Sequence, residues 1–436
     1  MRSVAFVFPF ALGLASAQEL WVDPVLGNNG NAGTYTAPLQ TIGAAVALAG
    51  PGAQILLLPG TYGPSANGET LPISLGLVPQ QGLVLRGIGN VVLDLGSSAS
   101  TVFRLVNGAD NCRITNLTIQ NSDRVGWWTR AINSGSGVGS ANAASGVEID
   151  RCRFVHINRG IVMWVQDNVQ GWRVHDNLFE DCANDAILEY AGNNEVYNNT
   201  FVTGTYKAYI SDSTTTLCYN NLIVNCAIAF ENNAAGNNVA RYQDNWVWQC
   251  PVVTQGIGFA AGLPASNVVG VDPQLVNLAG GNYHPQATSP LLDNGNAAIF
   301  ARADLDGVVR LVDSDRNGSL LPDIGCYEAS PIALQASWLP SSPVLQITQQ
   351  SAVANAFGVV LFAFDDGLIP LPGQGPLLLD PLTASSFYLA GLLPQTWFLP
   401  FQGIVVPPGT RLVMHGVALV PGTPLIVGGN QQWIQL

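Results

Sequence analysis

The sequence has few charged residues, and basic residues are the scarcer kind. Charged residues make up 10% of its 436 residues and hydrophobic residues 48%, a composition that excludes a disordered polyelectrolyte. There are 16 basic residues, with Lys207 the single lysine, against 29 acidic ones, and the formal net charge is -13. Nucleic acids and anionic membranes require a basic surface, so we expect neither as a partner.

Several other features are also missing. Beyond the first residues there is no run of about 18 apolar residues that could span a bilayer. The sequence contains no phosphate-binding loop and no dinucleotide fingerprint, which argues against nucleotide chemistry. The seven cysteines match no zinc motif, and 47 glycines with 27 prolines predict many turns rather than long helices.

The first 17 residues have the features of an export signal. Arg2 supplies the positive charge, an apolar stretch follows, and Ala15-Ser16-Ala17 provides the small residues of a cleavage site. We therefore expect a secreted protein, extracellular or held at the cell surface. An oxidising compartment permits disulfides, although an odd number of cysteines leaves at least one without a partner in the same chain.

A repeat of 22 to 25 residues runs through the middle of the chain. Its apolar anchor positions are Phe154, Phe179, Phe201, Ile223 and Val247. Four of the five anchors follow an asparagine by two residues, namely Asn177, Asn199, Asn221 and Asn245. This period predicts a parallel β-solenoid in which equivalent residues stack about 4.8 Å apart, with the asparagines forming an amide ladder. We expect Asn116 to have the same role in an earlier coil.

The residues flanking each anchor are predicted to face outward, because side chains alternate along a strand. Many of them are apolar: Leu178, Val202, Leu222, Val224, Trp246 and Trp248. One interpretation is that the second domain or the segment after Cys250 covers this face. The other is that the face stacks on carbohydrate rings.

Residues 21–62 run from Trp21-Val-Asp-Pro to Pro59-Gly-Thr-Tyr62, with Thr41 placed to cap a short helix through Ala49. Residues 272–328 include Asp272-Pro-Gln-Leu-Val and Asp323-Ile-Gly-Cys-Tyr-Glu. The first segment resembles the opening of secreted right-handed parallel β-helix proteins similar to pectate lyases, and the second resembles the end segment of choice-of-anchor Q proteins. The resemblance implies a capped right-handed parallel β-helix directed at polysaccharides.

The composition changes near residue 330. Residues 331–436 contain short apolar runs between proline and glycine turns, with Asp365, Asp366, Asp380 and Arg411 as the charged residues. This pattern predicts a small antiparallel β-sandwich that docks on the β-helix or on a surface partner. The expected chain is thus all-β, with an export signal at 1–17, a β-helix at 18–330 and a C-terminal β-sandwich at 331–436.

Several charged residues recur at equivalent positions of successive coils. The spacing places Arg159, Asp185 and Lys207 on neighbouring coils, and it aligns Glu189 with Glu231 two coils apart. Resemblance to pectate lyases implies β-elimination of uronic-acid polysaccharides, with a basic side chain such as Lys207 removing the C5 proton. A carboxylate pair also suits an inverting glycosidase. The alternative is that these residues have no chemical role and form only surface ion pairs and turn contacts.

Aromatic side chains near these coils are candidates for stacking on sugar rings: Trp127, Trp128, Trp164 and Tyr206. The favoured function is therefore the binding of polysaccharide, uronic-acid glycans first, with cleavage by a lyase or hydrolase mechanism left open. The competing class is a non-catalytic scaffold at the cell surface or in adhesion.

A candidate calcium site lies in Asp313-Ser-Asp-Arg-Asn-Gly-Ser. Asp313, Asp315 and Asn317 stand at alternate positions before a glycine, as in a calcium-binding loop. Asp323 is the candidate for the closing carboxylate, because the twelfth position is Ile324. The alternative is a plain polar turn.

Overall fold

The computed structural model describes residues 17–97, 101–124, 126, 129–135, 143–164, 169–190, 192–204, 206–235, 241–296, 303–310, 312, 320–330, 332–339, 344–351, 356–363, 388–400, 411–419 and 426–435. Residues 1–16 of the predicted export signal, Trp127 and Trp128, and Asp313, Asp315 and Asn317 lie outside these ranges.

Three parallel sheets form a β-solenoid, as predicted from the repeat. The first sheet consists of Glu19–Val22, Gln54–Leu57, Val84–Gly87, Arg113–Thr115, Glu148–Asp150, Arg173–His175, Glu195–Tyr197, Leu217–Tyr219 and Tyr242–Gln243. The second consists of Ile73–Leu75, Phe103–Leu105, Arg130–Ser134, Arg159–Met163, Asp185–Glu189, Lys207–Ser211, Ile228–Asn232 and Val252–Gln255. The third consists of Gly60–Tyr62, Val91–Asp94, Thr118–Gln120, Arg153–Val155, Leu178–Glu180, Thr200–Val202, Leu222–Val224, Trp246–Trp248 and Val268–Val269.

The predicted amide ladder is confirmed, and it extends one coil further, to Asn267. Each ladder oxygen accepts the backbone N–H of the preceding coil, from Cys152 to Asn245, at 2.9–3.1 Å. Beside the ladder the rings of Phe154 and Phe179 stack at 4.7 Å. The stacked residues thus satisfy the buried turn amides and fill the core together.

Asn116 does not belong to the ladder, contrary to the sequence prediction. The register pairs Phe154 with Ile119, so Leu117 occupies the ladder position and Asn116 precedes it. Asn116 has a φ of 59°, and its amide donates to the carbonyl of Gly87 at 2.6 Å. It occupies the left-handed turn position that asparagine and aspartate tolerate well.

A short helix, Ile42–Leu48, lies at the N-terminal end of the solenoid, where its buried face joins the main core. Thr41 caps it as expected, with Oγ1 accepting the Ala44 N–H at 3.2 Å. Three 3₁₀ turns complete the described helical structure, Asn107–Ala109, Ile257–Phe259 and Leu278–Gly280. No helix among the described residues has the length and apolar character needed to cross a membrane.

The segment after the last coil covers the apolar face of the third sheet. It contains one antiparallel hairpin, Leu275–Asn277 with Asn282–Pro285. Leu178, Leu222 and Trp246 of the third sheet are buried against residues of this segment, including Tyr283 and Ile324. The expectation of a covering segment is therefore correct, and this face is not an open surface for stacking sugars.

Arg310 joins this end segment to the solenoid. Its guanidinium is buried, and it donates to Asp176 Oδ1 at 3.0 Å and to Glu328 Oε2 at 3.0 Å. The charged groups of the network are thus paired where they leave water, as buried ions require.

The C-terminal region forms two antiparallel sheets, in agreement with the predicted β-sandwich. The first contains Ile332–Leu339, Val344–Ser351 and Gln395–Pro400, and the second Phe357–Ala363, Tyr388–Leu392, Arg411–Leu419 and Ile426–Gln435. Ala356, Leu393 and Ala418 pack against Val309 and Val312 of the end segment.

Candidate functional site

The outer face of the second sheet contains four of the five predicted catalytic residues. Ile161, Ile187 and Tyr209 of this sheet point into the main core. The residues that follow them, Val162, Leu188 and Ile210, form a separate apolar cluster on the other side. Side chains on that outer side are therefore available to build a site apart from the core.

Four of the charged side chains on this outer face form what we call the ionic row: Arg159, Asp185, Lys207 and Glu231. Asp185 is paired in register with Lys207 on the next coil, and Arg159 lies on the coil before, so the three occur on successive coils as predicted. Arg159 Nε lies 3.0 Å from Asp185 Oδ2. Lys207 Nζ lies 2.6 Å from Glu231 Oε2. The row therefore consists of two ion pairs.

The surroundings of the ionic row shift the pKa values of Asp185 and Lys207. Burial raises the pKa of Asp185, and the charges of Arg159 and Lys207 only partly oppose this. Burial acts in the opposite direction on Lys207 and is the largest single influence, but the hydrogen bond and charge of Glu231, with the charges of Tyr206 and Asp185, together raise the pKa of the ammonium. Lys207 is therefore protonated at neutral pH.

Glu189 lies on the inner side of the sheet, which corrects the predicted pairing with Glu231. The register aligns Glu189 with Ser211, and Ser211 with Asn232, whereas Glu231 pairs with Ile210. The carboxylate of Glu189 is fully buried, and it accepts hydrogen bonds from Asn194 at 2.8 Å and from Tyr209 and Thr216. Burial raises its pKa. The motif comparison placed Glu231 one residue out of register.

An aromatic pair lies next to the ionic row. Trp164 stacks on Tyr190 of the next coil, with ring centroids 5.4 Å apart. The guanidinium of Arg130 lies 4.9 Å above the Trp164 ring, and Asn133 Oδ1 accepts from the Trp164 indole at 3.1 Å. On the other side of the row, Lys207 Nζ lies 4.6 Å from the centre of the Tyr206 ring. Trp164 and Tyr206 thus both border the row.

Three residues of this surface were not predicted from the sequence: Tyr190, Arg130 and Asn133. A signal was present in the coil period, because the residue 26 positions after Trp164 is another aromatic. The sequence between Ser122 and Ser145, rich in glycine, serine, alanine and asparagine, interrupts the period, so the strand Arg130–Ser134 within it could not be aligned with the later coils from spacing alone.

Basic residues are concentrated on this outer face. Arg104 stacks on Asn133 in the register of the sheet, and with Arg130, Arg159 and Lys207 it accounts for four of the 16 basic residues of the chain. Asp185, Asp212 and Glu231 are the nearby acids. Arg130 and Arg159 are only 4% and 2% exposed, so Arg104 and Lys207 are the two of these four bases that solvent reaches.

The predicted calcium site stays a prediction, since its loop lies outside the described residues. Asp323 is fully buried, and its two carboxylate oxygens accept the backbone N–H groups of Asp293 at 2.8 Å and Ala329 at 2.7 Å. Asp323 thus has a structural role in the end segment. Across the described ranges, no group of three or more His, Cys, Asp or Glu side chains is arranged to hold a metal ion.

The sequence-family model of the right-handed β-helix region matches residues 102–267. This stretch includes the ionic row and the aromatic pair. No curated protein matches the chain significantly.

Solved structures with a similar chain path include three carbohydrate-active enzymes. The GH136 lacto-N-biosidase from Eubacterium ramulus is 11% identical, with a TM-score of 0.35, and the alignment covers 58% of this chain and 68% of the enzyme. A rhamnogalacturonan lyase is 13% identical, with a TM-score of 0.35 and coverage of 59% and 66%. The pectate lyase Pel9A is 14% identical, with a TM-score of 0.35 and coverage of 73% and 98%.

Proposed function

We propose that this protein is exported and binds an acidic polysaccharide, one that contains uronic acids, on the outer face of the second sheet. The observation that carries the proposal is the juxtaposition of the ionic row with Trp164, Tyr190 and Tyr206. An exported protein would meet such polysaccharides outside the cell.

The chemistry of a uronic-acid chain matches this arrangement. Its pyranose rings have apolar faces that pack on aromatic rings, and its carboxylates pair with ammonium and guanidinium groups. Trp164 and Tyr190 lie on successive coils and stack on each other, with Arg130 over the Trp164 ring, so a glycan would contact their exposed ring edges along the solenoid axis. Lys207 lies on the coil after Tyr190, where it can receive a carboxylate.

The exposure of the side chains divides them into two roles. Tyr206 is 44% exposed, and Trp164, Tyr190 and Lys207 are partly exposed, so these four would contact a glycan. Arg159 and Asp185 are each only 2% exposed. Their buried ion pair would hold the strands beneath the contact residues rather than touch the ligand.

Cleavage of the bound glycan is a second candidate function, and Asp185 is the residue that favours it. Its Oδ1 is buried and accepts no hydrogen bond from the described residues, and burial raises its pKa. A carboxyl group with a raised pKa is suited to protonate a glycosidic oxygen, and Asp185 would have to become exposed on binding to reach one, because it is 2% exposed here. Lys207 is less suited as a base, because Glu231 raises its pKa and keeps it protonated.

A binding assay on a panel of glycans tests the proposal. We expect the purified protein to bind polygalacturonate and alginate and not to bind neutral galactomannan. Binding to the acidic polysaccharides should weaken as the salt concentration increases, because salt screens exposed charges. Reducing ends and the ultraviolet absorbance of unsaturated products would be followed in the same samples to detect hydrolysis or elimination. Absence of binding to every glycan would overturn the proposal and favour the scaffold function.

The matched variant replaces the Lys207–Glu231 pair as a unit. Lys207→Gln combined with Glu231→Gln removes both charges and leaves no unpaired ion, so the fold should be retained. We expect at least about tenfold weaker binding to polygalacturonate, which corresponds to about 1.4 kcal/mol. Arg173→Gln, at a half-exposed arginine of the first sheet, should bind as the unaltered protein does.

A further inference from the structure

Two cysteines occupy the same position on consecutive coils at the C-terminal end of the solenoid. Ile223 pairs with Val247, and Val224 with Trp248, in the third sheet. The register continues past these strands, because the Asn225 N–H donates to the Trp248 carbonyl and the Val252 N–H to the Ala227 carbonyl, both at 3.2 Å. Cys226 and Cys250 are therefore stacked directly on each other.

The spacing of the stack meets the requirement for a disulfide. Equivalent residues on neighbouring parallel strands lie about 4.8 Å apart, which is inside the range of about 4.4–6.8 Å between Cα atoms in disulfides. Both side chains face the core. Each Sγ contacts the carbonyl two residues earlier, at 3.6 Å for Cys226 and 3.5 Å for Cys250, and Cys250 Sγ also lies 3.9 Å from the carbonyl of Ile223 on the coil that contains Cys226.

The pair is accessible at one end. Cys250 lines an open cavity of about 330 Å³ together with Val247, Pro251, Val269 and Gly270. A hydrogen bond from the neighbouring thiol of Cys226 lowers the pKa of Cys250, which favours its thiolate, the form that attacks disulfides. Cys226 is buried directly beneath it.

The register of the solenoid distinguishes this pair from the other cysteines. Gly204 lies between Cys182 and Cys226, which places those two about 9.6 Å apart, twice the strand spacing. Cys218 is paired in register with Val196 and Tyr242. The backbone N–H of Cys152 donates to Oδ1 of the ladder residue Asn177. All seven cysteines lie in the described ranges, and each is a thiol in this structure.

We propose that Cys226 and Cys250 are a thiol pair that closes to a disulfide by exchange with a small disulfide such as oxidised glutathione. The Cys250 thiolate attacks one sulfur of the small disulfide and releases one thiolate, forming a mixed disulfide. The Cys226 thiol loses its proton and attacks the Cys250 sulfur, forming the Cys226–Cys250 bond and releasing the second thiolate. Two protein thiols are thereby oxidised, and one small disulfide is reduced to two thiols.

Mass spectrometry of the full-length protein tests this inference. After treatment with oxidised glutathione, we expect a loss of two hydrogen atoms, five rather than seven cysteines alkylated on unfolding, and a linked pair of peptides containing Cys226 and Cys250. Dithiothreitol should reverse all three changes. The linked protein should unfold at a temperature a few degrees higher, because the crosslink restricts the unfolded chain.

Two variants make the test specific. Cys250→Ser should abolish the loss of two hydrogen atoms, whereas Cys182→Ser should leave it unchanged. A mixed disulfide that persists on Cys250, a link between other cysteines, or an unchanged mass in a protein that remains folded would each overturn the proposal.

Discussion

Replacing Asn199 by alanine should remove a large part of the stability of the solenoid. The Asn199 oxygen accepts from the Asn177 backbone N–H at 3.1 Å and from its side-chain amide at 3.0 Å. The Asn199 amide donates to the carbonyls of Val174 at 2.8 Å and Tyr197 at 2.9 Å. All of these contacts are buried.

The expected loss of stability follows from the hydrogen bonds that the substitution removes and from the buried donor that it leaves without an acceptor. The Asn177 N–H would lose its side-chain acceptor inside the core, at a cost of about 1–3 kcal/mol, and each of the other three hydrogen bonds contributes about 1 kcal/mol. We therefore expect the free energy of unfolding to fall by about 4–6 kcal/mol.

Urea denaturation followed by tryptophan fluorescence measures the change, and hydrogen exchange of the Asn177 amide localises it. A suitable control is Asn225→Gly, at an exposed asparagine whose φ of 57° suits glycine. The control should change stability by no more than about 0.5 kcal/mol. A loss below about 1 kcal/mol for Asn199→Ala would refute the role assigned to the ladder.

Two further predictions concern the other buried networks. Arg310→Met should destabilise the protein by about 3–5 kcal/mol in thermal unfolding, because it leaves Glu328 buried without its cation and Asp176 with His175 alone; a shift no larger than that of the half-exposed Arg173→Met would contradict this. For His175, burial lowers the pKa, but hydrogen bonds to Asp176 and Glu148 prevail and raise the pKa from 6.5 to about 9. Its stabilising contribution is complete below pH 6.5 and is lost as the pH rises to about 9, so stability should fall across that interval, and the fall should be smaller in His175→Gln.

The repeat carried enough information to predict the solenoid. In the later coils a ladder position favours a side chain that both donates and accepts inside the core, so Asn177, Asn199, Asn221 and Asn245 repeat visibly. The anchor rings recur for the same reason, since each packs on its neighbours above and below. Spacing alone therefore predicted which residues of the later coils are stacked.

The candidate site was harder to predict because turn lengths differ between coils. The two glutamates also differ inside their strands: Ala186 and Ala229 are in register, but Glu189 follows its alanine by three residues and Glu231 by two. One residue moves a side chain to the opposite face of the sheet, so the two glutamates lie on opposite sides. Lys207 also has two charged neighbours, Asp185 in register and Glu231 on the next coil. Spacing indicated the first neighbour, but the ion pair forms with the second.

The most direct test of the proposed function is radical footprinting of the protein with and without polygalacturonate. We predict that oxidation of Trp164 and Tyr206 slows when the polysaccharide is present, while that of Tyr388, which is 60% exposed in the C-terminal sheets, stays the same. Equal oxidation of Trp164 and Tyr206 in both samples, at a polysaccharide concentration that saturates binding, would contradict the assignment of the glycan to the second sheet.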